Sequence, residues 1–373
     1  MPRPELTNLK KILAQRGVPS VWSLKHPEQE LYHDRYVPNF DMTNDVWQER
    51  RQEIVDLLAR EQYGFLPPAV PYDVEIVETT NTCALKAKKH LVHLTLHCPK
   101  GDFVLPFWLI MPTAMKKAPM FVCINFRSGS PDAYIPMEEI VDAGFGIAAV
   151  YYKDISDDSA KEDGVYPLFD RDENTGYGKI SLWAWGMSRI IDYLLTIKQV
   201  DENRIAVCGH SRLGKTALWC GANDERVSCS FSNDSGCAGA AIYRGKVGED
   251  TTAIAKNFPF WFCKNYFKHV GHDNELPFDQ HYLVAALAPR CVYVASAEDD
   301  LWADPTSEFL SCVAATEVYN SFGIDGIVTP DRIPETGEYL HRGFIGYHVR
   351  FGGHFFSRED WNMYFKFRYM HGI

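Results

Sequence analysis

Ser211 lies in a segment whose residue types and spacing suit a nucleophile at a turn between a strand and a helix. Residues 205–208 are apolar, Gly209 precedes the turn, and residues 213–218 favour a helix. Such a strained turn exposes a serine hydroxyl at the carboxyl edge of a sheet, where it can attack a carbonyl carbon. The strict G-x-S-x-G pattern is broken, because the second glycine is residue 214. A serine that only caps the helix is the alternative, but the order of strand, turn and helix favours a nucleophile.

A serine hydroxyl becomes a useful nucleophile only when a positioned imidazole takes its proton. His354 is the candidate base, because it follows a predicted strand at residues 347–351 and two glycines, and precedes a helix that begins near Arg358. A loop in this place can carry an imidazole to the same edge of the sheet as the serine. His348 is the competing imidazole, but it lies within the strand, so we favour His354.

The carboxylate that would orient the imidazole is expected between residues 211 and 354, on a loop after a strand. The segment after the predicted strand at 292–296 has four acidic residues, Glu298, Asp299, Asp300 and Asp304. Asp234, at the end of the preceding predicted strand, is a further candidate. Because an aspartate in either place can also form a turn or cap a helix, these residues alone leave the acid open.

The segments that must position these groups are short apolar runs separated by helical stretches. Two of the helical stretches lie at residues 182–196 and 306–322. Apolar runs rich in Val and Ile fit parallel strands that are buried on both faces, and the alternation fits βαβ units. The sequence therefore predicts an α/β fold with a mostly parallel central sheet and helices on both faces. The predicted strands lie at residues 120–125, 146–152, 204–208, 227–232, 291–295 and 347–351.

A single domain with three regions is expected. Residues 1–70 are predicted to form an N-terminal helical arm, with Asn44 or Asp45 as a possible cap, and the alternating pattern of residues 71–112 indicates antiparallel edge strands. Residues 113–373 would then be the catalytic core. Two long segments in it, 154–178 and 243–282, are candidate substrate loops, because long loops in compact domains are commonly functional.

The composition restricts the partners and the compartment. A formal net charge of −11 argues against nucleic acid or an anionic membrane surface as a partner. No apolar run is long enough for a membrane span, and the first twenty residues lack the apolar stretch of a secretory signal. We therefore favour a cytoplasmic protein, or an exported one whose signal has been removed, and we expect a monomer.

No cofactor and no metal are expected. The ten cysteines include no C-x-x-C pair, so neither a zinc site nor a redox centre is indicated, and most of them lie in apolar segments as expected for buried thiols. His269, His272 and His281 form a histidine-rich stretch, but their spacing matches no zinc-protease pattern.

Four segments together resemble the bacterial glucuronoyl esterases of carbohydrate esterase family 15. The resemblance covers about residues 100–370, and the combination is far more specific than any one segment. The segments are 209–215 (GHSRLGK), 232–241 (SNDSGCAGAA), 298–305 (EDDLWADP) and Gly353-His354 before Glu359-Asp360-Trp361.

The resemblance implies the three-layer sandwich of an α/β hydrolase, with Ser211 as nucleophile and His354 as base. It also implies that the Arg212 side chain binds the oxyanion beside backbone N–H groups, where a guanidinium stabilises charge more than a neutral donor does.

By the same resemblance, Lys215 and Glu249 would meet the hydroxyls of a uronate sugar, and Trp302 would pack or hydrogen-bond at that sugar. The alternative is that Lys215 and Arg212 are ordinary polar residues at the N-terminus of a helix. Cations near a helix N-terminus oppose the helix dipole, however, so two of them there suggest retention for binding.

The sequence also departs from this family. Fungal members carry Glu at the place of Asp234 and a disulfide between the residues beside the serine and the histidine, whereas His210 and Phe355 occupy those places here. Asp is one methylene shorter than Glu and reaches less far towards the imidazole. We therefore favour Asp300 as the acid, with Asp234 as a backup.

The expected activity is that of a serine carboxylic ester hydrolase of the 4-O-methyl-glucuronoyl methylesterase type. Its substrate would be an ester of glucuronic or 4-O-methylglucuronic acid, as in glucuronoxylan–lignin linkages, and hydrolysis would pass through an acyl-enzyme. Two alternatives stay open: an acetyl xylan esterase or other carbohydrate esterase, and an inactive carbohydrate-binding protein on a hydrolase scaffold.

Overall fold

The computed structural model describes residues 6–23 and 44–373. The strands are β1 (Tyr72–Thr82), β2 (Ala87–Cys98), β3 (Gly101–Pro112), β4 (Ala118–Asn125), β5 (Gly146–Tyr151), β6 (Val200–His210), β7 (Cys229–Asn233), β8 (Cys291–Ala297), β9 (Tyr339–Leu340) and β10 (Ile345–Arg350). The α-helices are α1 (Thr7–Gln15), α2 (Asn44–Leu58), α3 (Met137–Asp142), α4 (Lys179–Leu194), α5 (Arg212–Asn223), α6 (Thr251–Asn257), α7 (His281–Ala285), α8 (Pro305–Ser321) and α9 (Arg358–His371).

One mixed sheet runs through the described part of the chain. Its strand order is β1-β2-β3-β5-β4-β6-β7-β8-β10-β9. The strands from β5 to β10 in this order are parallel, whereas β1, β2 and β3 pair antiparallel at one edge and β9 pairs antiparallel with β10 at the other. Every residue of β4 and of β8 is buried, as a strand covered on both faces requires.

Helices cover both faces of the sheet and bury two apolar cores. Side chains alternate along β4, so that Met120 and Val122 belong to one core and Phe121 and Cys123 to the other. Helices α4, α5, α7 and α8 contribute to the first core, and α3 and α9 to the second. Burial of each large apolar side chain contributes about 1.5–3 kcal/mol. The predicted α/β-hydrolase sandwich of three layers is confirmed.

The outermost antiparallel strand, β1, is largely exposed. Helices α1 and α2 precede it, whereas residues 1–5 and 24–43 of the predicted arm, and the side chains of Asn44 and Asp45, lie outside the described residues. The division of the chain into an arm, an edge and a core within a single domain stays a prediction.

Helix α4 begins at Lys179, three residues before the predicted start at residue 182. Lys179 is buried, and its ammonium group donates to the Ser156 hydroxyl and to the Lys161 carbonyl. A charged residue that is buried in this way breaks the apolar pattern on which the predicted boundary depended.

All ten cysteines are free thiols, and all but Cys83 are buried, so the expectation of buried thiols is confirmed for most of them. None of the described helices combines the length and the hydrophobicity needed to cross a membrane.

Four candidate residues follow four neighbouring parallel strands. Ser211 follows β6, Asp234 follows β7, Asp300 lies in the loop after β8, and His354 lies in the loop after β10. Because the carboxyl ends of parallel strands meet at one edge of a sheet, this topology places all four candidates on the same side of the molecule.

Candidate active site

Ser211 adopts a strained backbone conformation between β6 and α5. Its φ is 59°, in the left-handed region that side chains rarely adopt. Its N–H donates to the Asn233 carbonyl at 2.8 Å, which ties the turn to the end of β7. Gly209 is needed before the turn, because an added Cβ would lie 2.2 Å from the Leu213 carbonyl oxygen. The strand, turn and helix expected around Ser211 are present.

Gly209→Ala is expected to destabilise the protein, because the added methyl group collides with backbone rather than with a movable side chain. The loss in the free energy of unfolding should be at least about 1–3 kcal/mol, measurable by urea denaturation. Gly129→Ala is the matched control, since its added Cβ meets nothing within 4 Å. Equal stability of the two variants would show that the turn relaxes freely.

His354 and Asp300 form a close hydrogen-bonded pair, with 2.6 Å between His354 Nδ1 and Asp300 Oδ2. Burial raises the pKa of the Asp300 carboxyl, but the hydrogen bond and charge attraction of His354, together with the Ala303 N–H, outweigh burial and hold this pKa below its ordinary value. Asp300 is therefore ionised at neutral pH and can fix Nδ1 as the donor. Nε2 of His354 is then the nitrogen that can accept a proton.

Arg350, the last residue of β10, holds the loop that carries His354. Its guanidinium donates hydrogen bonds to three carbonyl oxygens of that loop, those of Phe351, Gly353 and Phe355. It also forms an ion pair with Asp360 in α9 at 3.1 Å. Sequence reasoning did not single out Arg350; an arginine at the end of a buried apolar strand is the signal that it offers.

Asp234 is engaged by Arg350 and not by the imidazole that Asp300 holds. Its Oδ2 accepts a hydrogen bond from Arg350 at 3.2 Å and lies 3.9 Å from Nδ1 of His210. Its Oδ1 is buried and has no hydrogen-bond partner among the described residues. Burial, with repulsion from Glu308, raises the pKa of the Asp234 carboxyl well above its ordinary range. Burial therefore disfavours the charged form of Asp234, whereas the Arg350 guanidinium favours that form.

His210 is a buried imidazole packed against the candidate base. Its ring centroid is 4.4 Å from that of His354, and its Nδ1 is hydrogen-bonded to Asn233 Oδ1 at 2.6 Å. Burial and the neighbouring His354 lower the pKa of His210 to about 3. His210 therefore stays neutral at the pH of the cell and places no fixed charge beside the base.

Arg212, the first residue of α5, is held by residues that the sequence analysis missed. Its Nη1 donates to Asp158 Oδ2, and its guanidinium carbon is 4.8 Å from the Trp261 ring centroid and 5.0 Å from that of Phe258. Its Nε is buried and has no hydrogen-bond partner in the described part of the chain. No local sequence pattern joins these residues, because they come from separate segments.

Lys215 is buried one turn further along α5. Its ammonium group donates to the Ser235 carbonyl at 2.5 Å. Burial lowers the pKa of Lys215, while the nearby Glu249 carboxylate opposes this shift. Trp302, on the loop after β8, is by contrast 56% exposed and offers an aromatic face at the surface.

One cavity of about 340 Å³ collects every predicted site residue. Ser235, Gly236, Phe258, Trp261 and Ala303 complete its wall. The predicted residues that line it are Ser211, Arg212, Lys215, Asp234, Glu249, Asp300, Trp302 and His354. The cavity thus brings a serine, a histidine with a carboxylate partner, and two cations together around one space.

One group of potential metal ligands lies in the site: His210, Asp234 and His354 bring ligand atoms within 4.8 Å of one another. Both histidines already use Nδ1 in hydrogen bonds. The three histidines considered as ligands in the sequence analysis are engaged elsewhere: His269 with Glu61, His272 with Glu275 and His281 with the Pro19 carbonyl.

Comparison with known families decides the relationship of this chain. The family model described as fungal glucuronyl esterase matches residues 104–323, which is more than half of the chain. The chain belongs to the glucuronoyl esterase family.

Individual glucuronoyl esterases and related enzymes are similar over most of the fold. A solved structure named as a glucuronoyl esterase from Solibacter usitatus is 34% identical, with a TM-score of 0.83, and the match covers 95% of this chain and 97% of that one. The carbohydrate esterase MZ0003, from an unknown prokaryotic organism, is 39% identical over 62% of this chain and 54% of its own length. A 4-O-methyl-glucuronoyl methylesterase of Podospora anserina is 29% identical over 74% of this chain and 56% of its own length. The matches span only about half the length of these two curated relatives.

In this member of the glucuronoyl esterase family, aromatic packing occupies the place of the disulfide expected in fungal members. The Tyr134 ring centroid is 5.8 Å from that of His210 and 5.2 Å from that of Phe355. Tyr134 therefore bridges the residues that flank Ser211 and His354, and ring packing links the two loops without a covalent bond.

Proposed function

We propose that this protein hydrolyses esters of glucuronic or 4-O-methylglucuronic acid through an acyl-enzyme. The observation that carries the proposal is the cavity in which Ser211 and the His354–Asp300 pair meet Lys215 and Glu249. The names of the curated relatives, 4-O-methyl-glucuronoyl methylesterases among them, support the same reaction. The substrate would be the ester that links glucuronoxylan to a lignin alcohol.

In the proposed reaction Ser211 Oγ attacks the ester carbonyl carbon while His354 Nε2 takes the hydroxyl proton. The tetrahedral intermediate collapses, the ester C–O bond breaks, and His354 returns the proton to the leaving alcohol. Water then attacks the acyl-serine with the same base, which releases the uronic acid and restores the hydroxyl. Asp300 keeps the imidazole oriented and stabilises its charged form.

The oxyanion would be bound by Arg212 together with backbone N–H groups near the N-terminus of α5. The Nε–H of Arg212 has no hydrogen-bond partner among the described residues, so it would break no other bond on donating to negative charge that develops on the carbonyl oxygen. A donor that is already in place needs no reorganisation at that moment, and this is the main advantage of such a site.

Recognition of the uronate would come from Lys215, Glu249 and Trp302. The first two provide an ammonium donor and a carboxylate acceptor for sugar hydroxyls, and Trp302 provides a face on which a sugar ring can pack. A site built to hydrogen-bond hydroxyls rejects an ester that lacks them, because its buried polar groups are then left unpaired.

The decisive test compares the rates on two esters with the purified protein. Benzyl glucuronate should be cleaved with a higher kcat/KM than acetylated xylan if the proposal is right. Faster release of acetate would move the function to an acetyl xylan esterase. Binding of the sugar without turnover of either ester would indicate an inactive carbohydrate-binding protein.

Lys215→Met is expected to weaken glucuronate ester hydrolysis by roughly 10- to 10²-fold in kcat/KM, because the variant keeps the apolar stem but removes one buried donor. Hydrolysis of p-nitrophenyl acetate should change little, since that ester has no sugar hydroxyl to meet the ammonium group. Both rates are measured on one preparation. Equal losses would mean that the Lys215 bond to the Ser235 carbonyl supports the wall structurally and does not bind the sugar.

A further inference from the structure

Asp158 is a partly buried residue beside the cavity, and the reaction above gives it no role. It lies in the loop that follows β5, and its side chain is 8% exposed. Its Oδ2 accepts a hydrogen bond from Arg212 Nη1, and its Oδ1 accepts one from Trp261 Nε1 at 2.8 Å. One carboxylate therefore links the proposed oxyanion donor to the aromatic wall of the cavity, although the three residues come from three separate segments.

We propose that Asp158 is a positioning residue that sets the Arg212 guanidinium for catalysis. By taking Nη1, it orients the guanidinium while Nε–H stays free for the developing oxyanion. This inference rests on the proposed function, because it assigns Asp158 a part in the formation of the tetrahedral intermediate, where the oxyanion develops.

The backbone that carries Asp158 is itself well anchored. Trp183 in α4 donates its indole N–H to the Ser156 carbonyl at 2.9 Å, and the buried ammonium group of Lys179 donates to the Ser156 hydroxyl. Tyr152 Oη adds a bond at 3.3 Å to Asp158 Oδ2. The carboxylate is thus held by a rigid support, as a group must be if it is to fix the position of another side chain.

The guanidinium has only weak restraints apart from Asp158. Among the described residues its other contacts are with aromatic rings, at 4.8 Å from the Trp261 centroid, 5.0 Å from the Phe258 centroid and 5.7 Å from the Phe126 centroid. The Trp261 and Phe258 rings stack on each other at 4.0 Å with an interplanar angle of 3°. These rings restrict where the guanidinium can move, while the ion pair sets the direction in which the nitrogen atoms point.

Two effects of Asp158 oppose each other. Its negative charge reduces the attraction between Arg212 and an oxyanion, so its removal would speed the reaction if charge alone mattered. Loss of orientation slows the reaction, and a displacement of about 1 Å can cost roughly 10²-fold in rate. We expect orientation to dominate, because an unheld arginine must be reordered in every turnover.

The test is Asp158→Asn, assayed on benzyl glucuronate and on p-nitrophenyl acetate. We expect kcat to fall roughly 10- to 10²-fold on both esters, with KM changed less than about 3-fold, because both reactions develop an oxyanion. In an Arg212→Met background the same substitution should cost less than about 3-fold, since the group on which it acts is gone. Asp157→Asn is the matched control, because Asp157 pairs with Lys153 at the surface.

If Asp158→Asn lowers kcat by the same factor in the unmodified protein and in Arg212→Met, the two substitutions act independently. That result would overturn the proposal and leave Asp158 with a structural role. A faster Asp158→Asn enzyme would overturn it in favour of the charge effect. If Asp158→Asn does not fold, Asp158→Glu is measured instead, with and without Arg212→Met, because it keeps the charge and shifts the guanidinium. A protein that cleaves the acetate but not the glucuronate would refute the proposed substrate, while the acetate assays still decide the role of Asp158.

Discussion

Ser211→Ala is expected to abolish ester hydrolysis while the protein stays folded. Without the hydroxyl no acyl-enzyme can form, and loss of a member of such a triad lowers kcat by about 10⁴ to 10⁶. The fold should persist, because alanine fits the space of serine and the backbone bond from residue 211 to the Asn233 carbonyl does not use the side chain. The measurements are kcat on benzyl glucuronate and the midpoint of thermal unfolding.

Ser235→Ala is the matched control for this experiment, since Ser235 lines the same cavity. Its hydroxyl is already engaged, donating to the Glu308 carboxylate at 3.3 Å and accepting from the Ala240 N–H at 2.9 Å. We expect this variant to lose less than about 10-fold in kcat. A folded Ser211→Ala protein that retains more than a few per cent of the activity would refute the proposed mechanism.

The central sheet could be predicted from the sequence because burial on both faces leaves a strong pattern. All residues of β4 and β8 are buried, and such strands read as continuous apolar runs. Strand β6 extends beyond its predicted limits of 204–208: Asp201, Glu202 and Asn203 near its start are polar and at least partly exposed, and it continues to the buried Gly209 and His210 at its end. The monomeric state and the location in the cell stay predictions.

Asp158 left no sequence pattern, and Arg350 offered only its place at the end of a buried apolar strand, because each acts through partners that are distant in the chain. Asp158 is 54 residues from Arg212, and Arg350 is 116 residues from Asp234. Helix and strand periodicities describe only neighbours within a few residues. An ion pair across such distances depends on the packing of whole elements, so the sequence around one residue does not identify its partner.

The choice between the two candidate acids depends on strand order, which the sequence does not contain. Strand β8 pairs directly with β10, and the Asp299 N–H donates to the Gly352 carbonyl at 3.1 Å. The loops that carry Asp300 and His354 are therefore bonded to each other. Strand β7 is separated from β10 by β8, and this places Asp234 behind the pair.

Asp300→Asn is expected to reduce kcat on benzyl glucuronate by about 10³ to 10⁴, because an amide no longer stabilises the charged imidazole and can impose the wrong tautomer. The residual activity would come from the oxyanion donors and from substrate binding. The measurement is kcat for Asp300→Asn and Asp234→Asn on the same ester, together with the midpoint of thermal unfolding for each variant.

Asp234→Asn should cost far less in kcat, on the order of 10-fold or below, and should act mainly on stability. Because burial disfavours the charged form of the Asp234 carboxyl, its replacement by a neutral amide removes little favourable charge. The bond that it weakens is the one from Arg350, which still keeps Asp360 as a partner. The opposite ranking of the two kcat values would assign the acid to Asp234, and the 2.6 Å contact between Asp300 and His354 would then serve only to hold the loop.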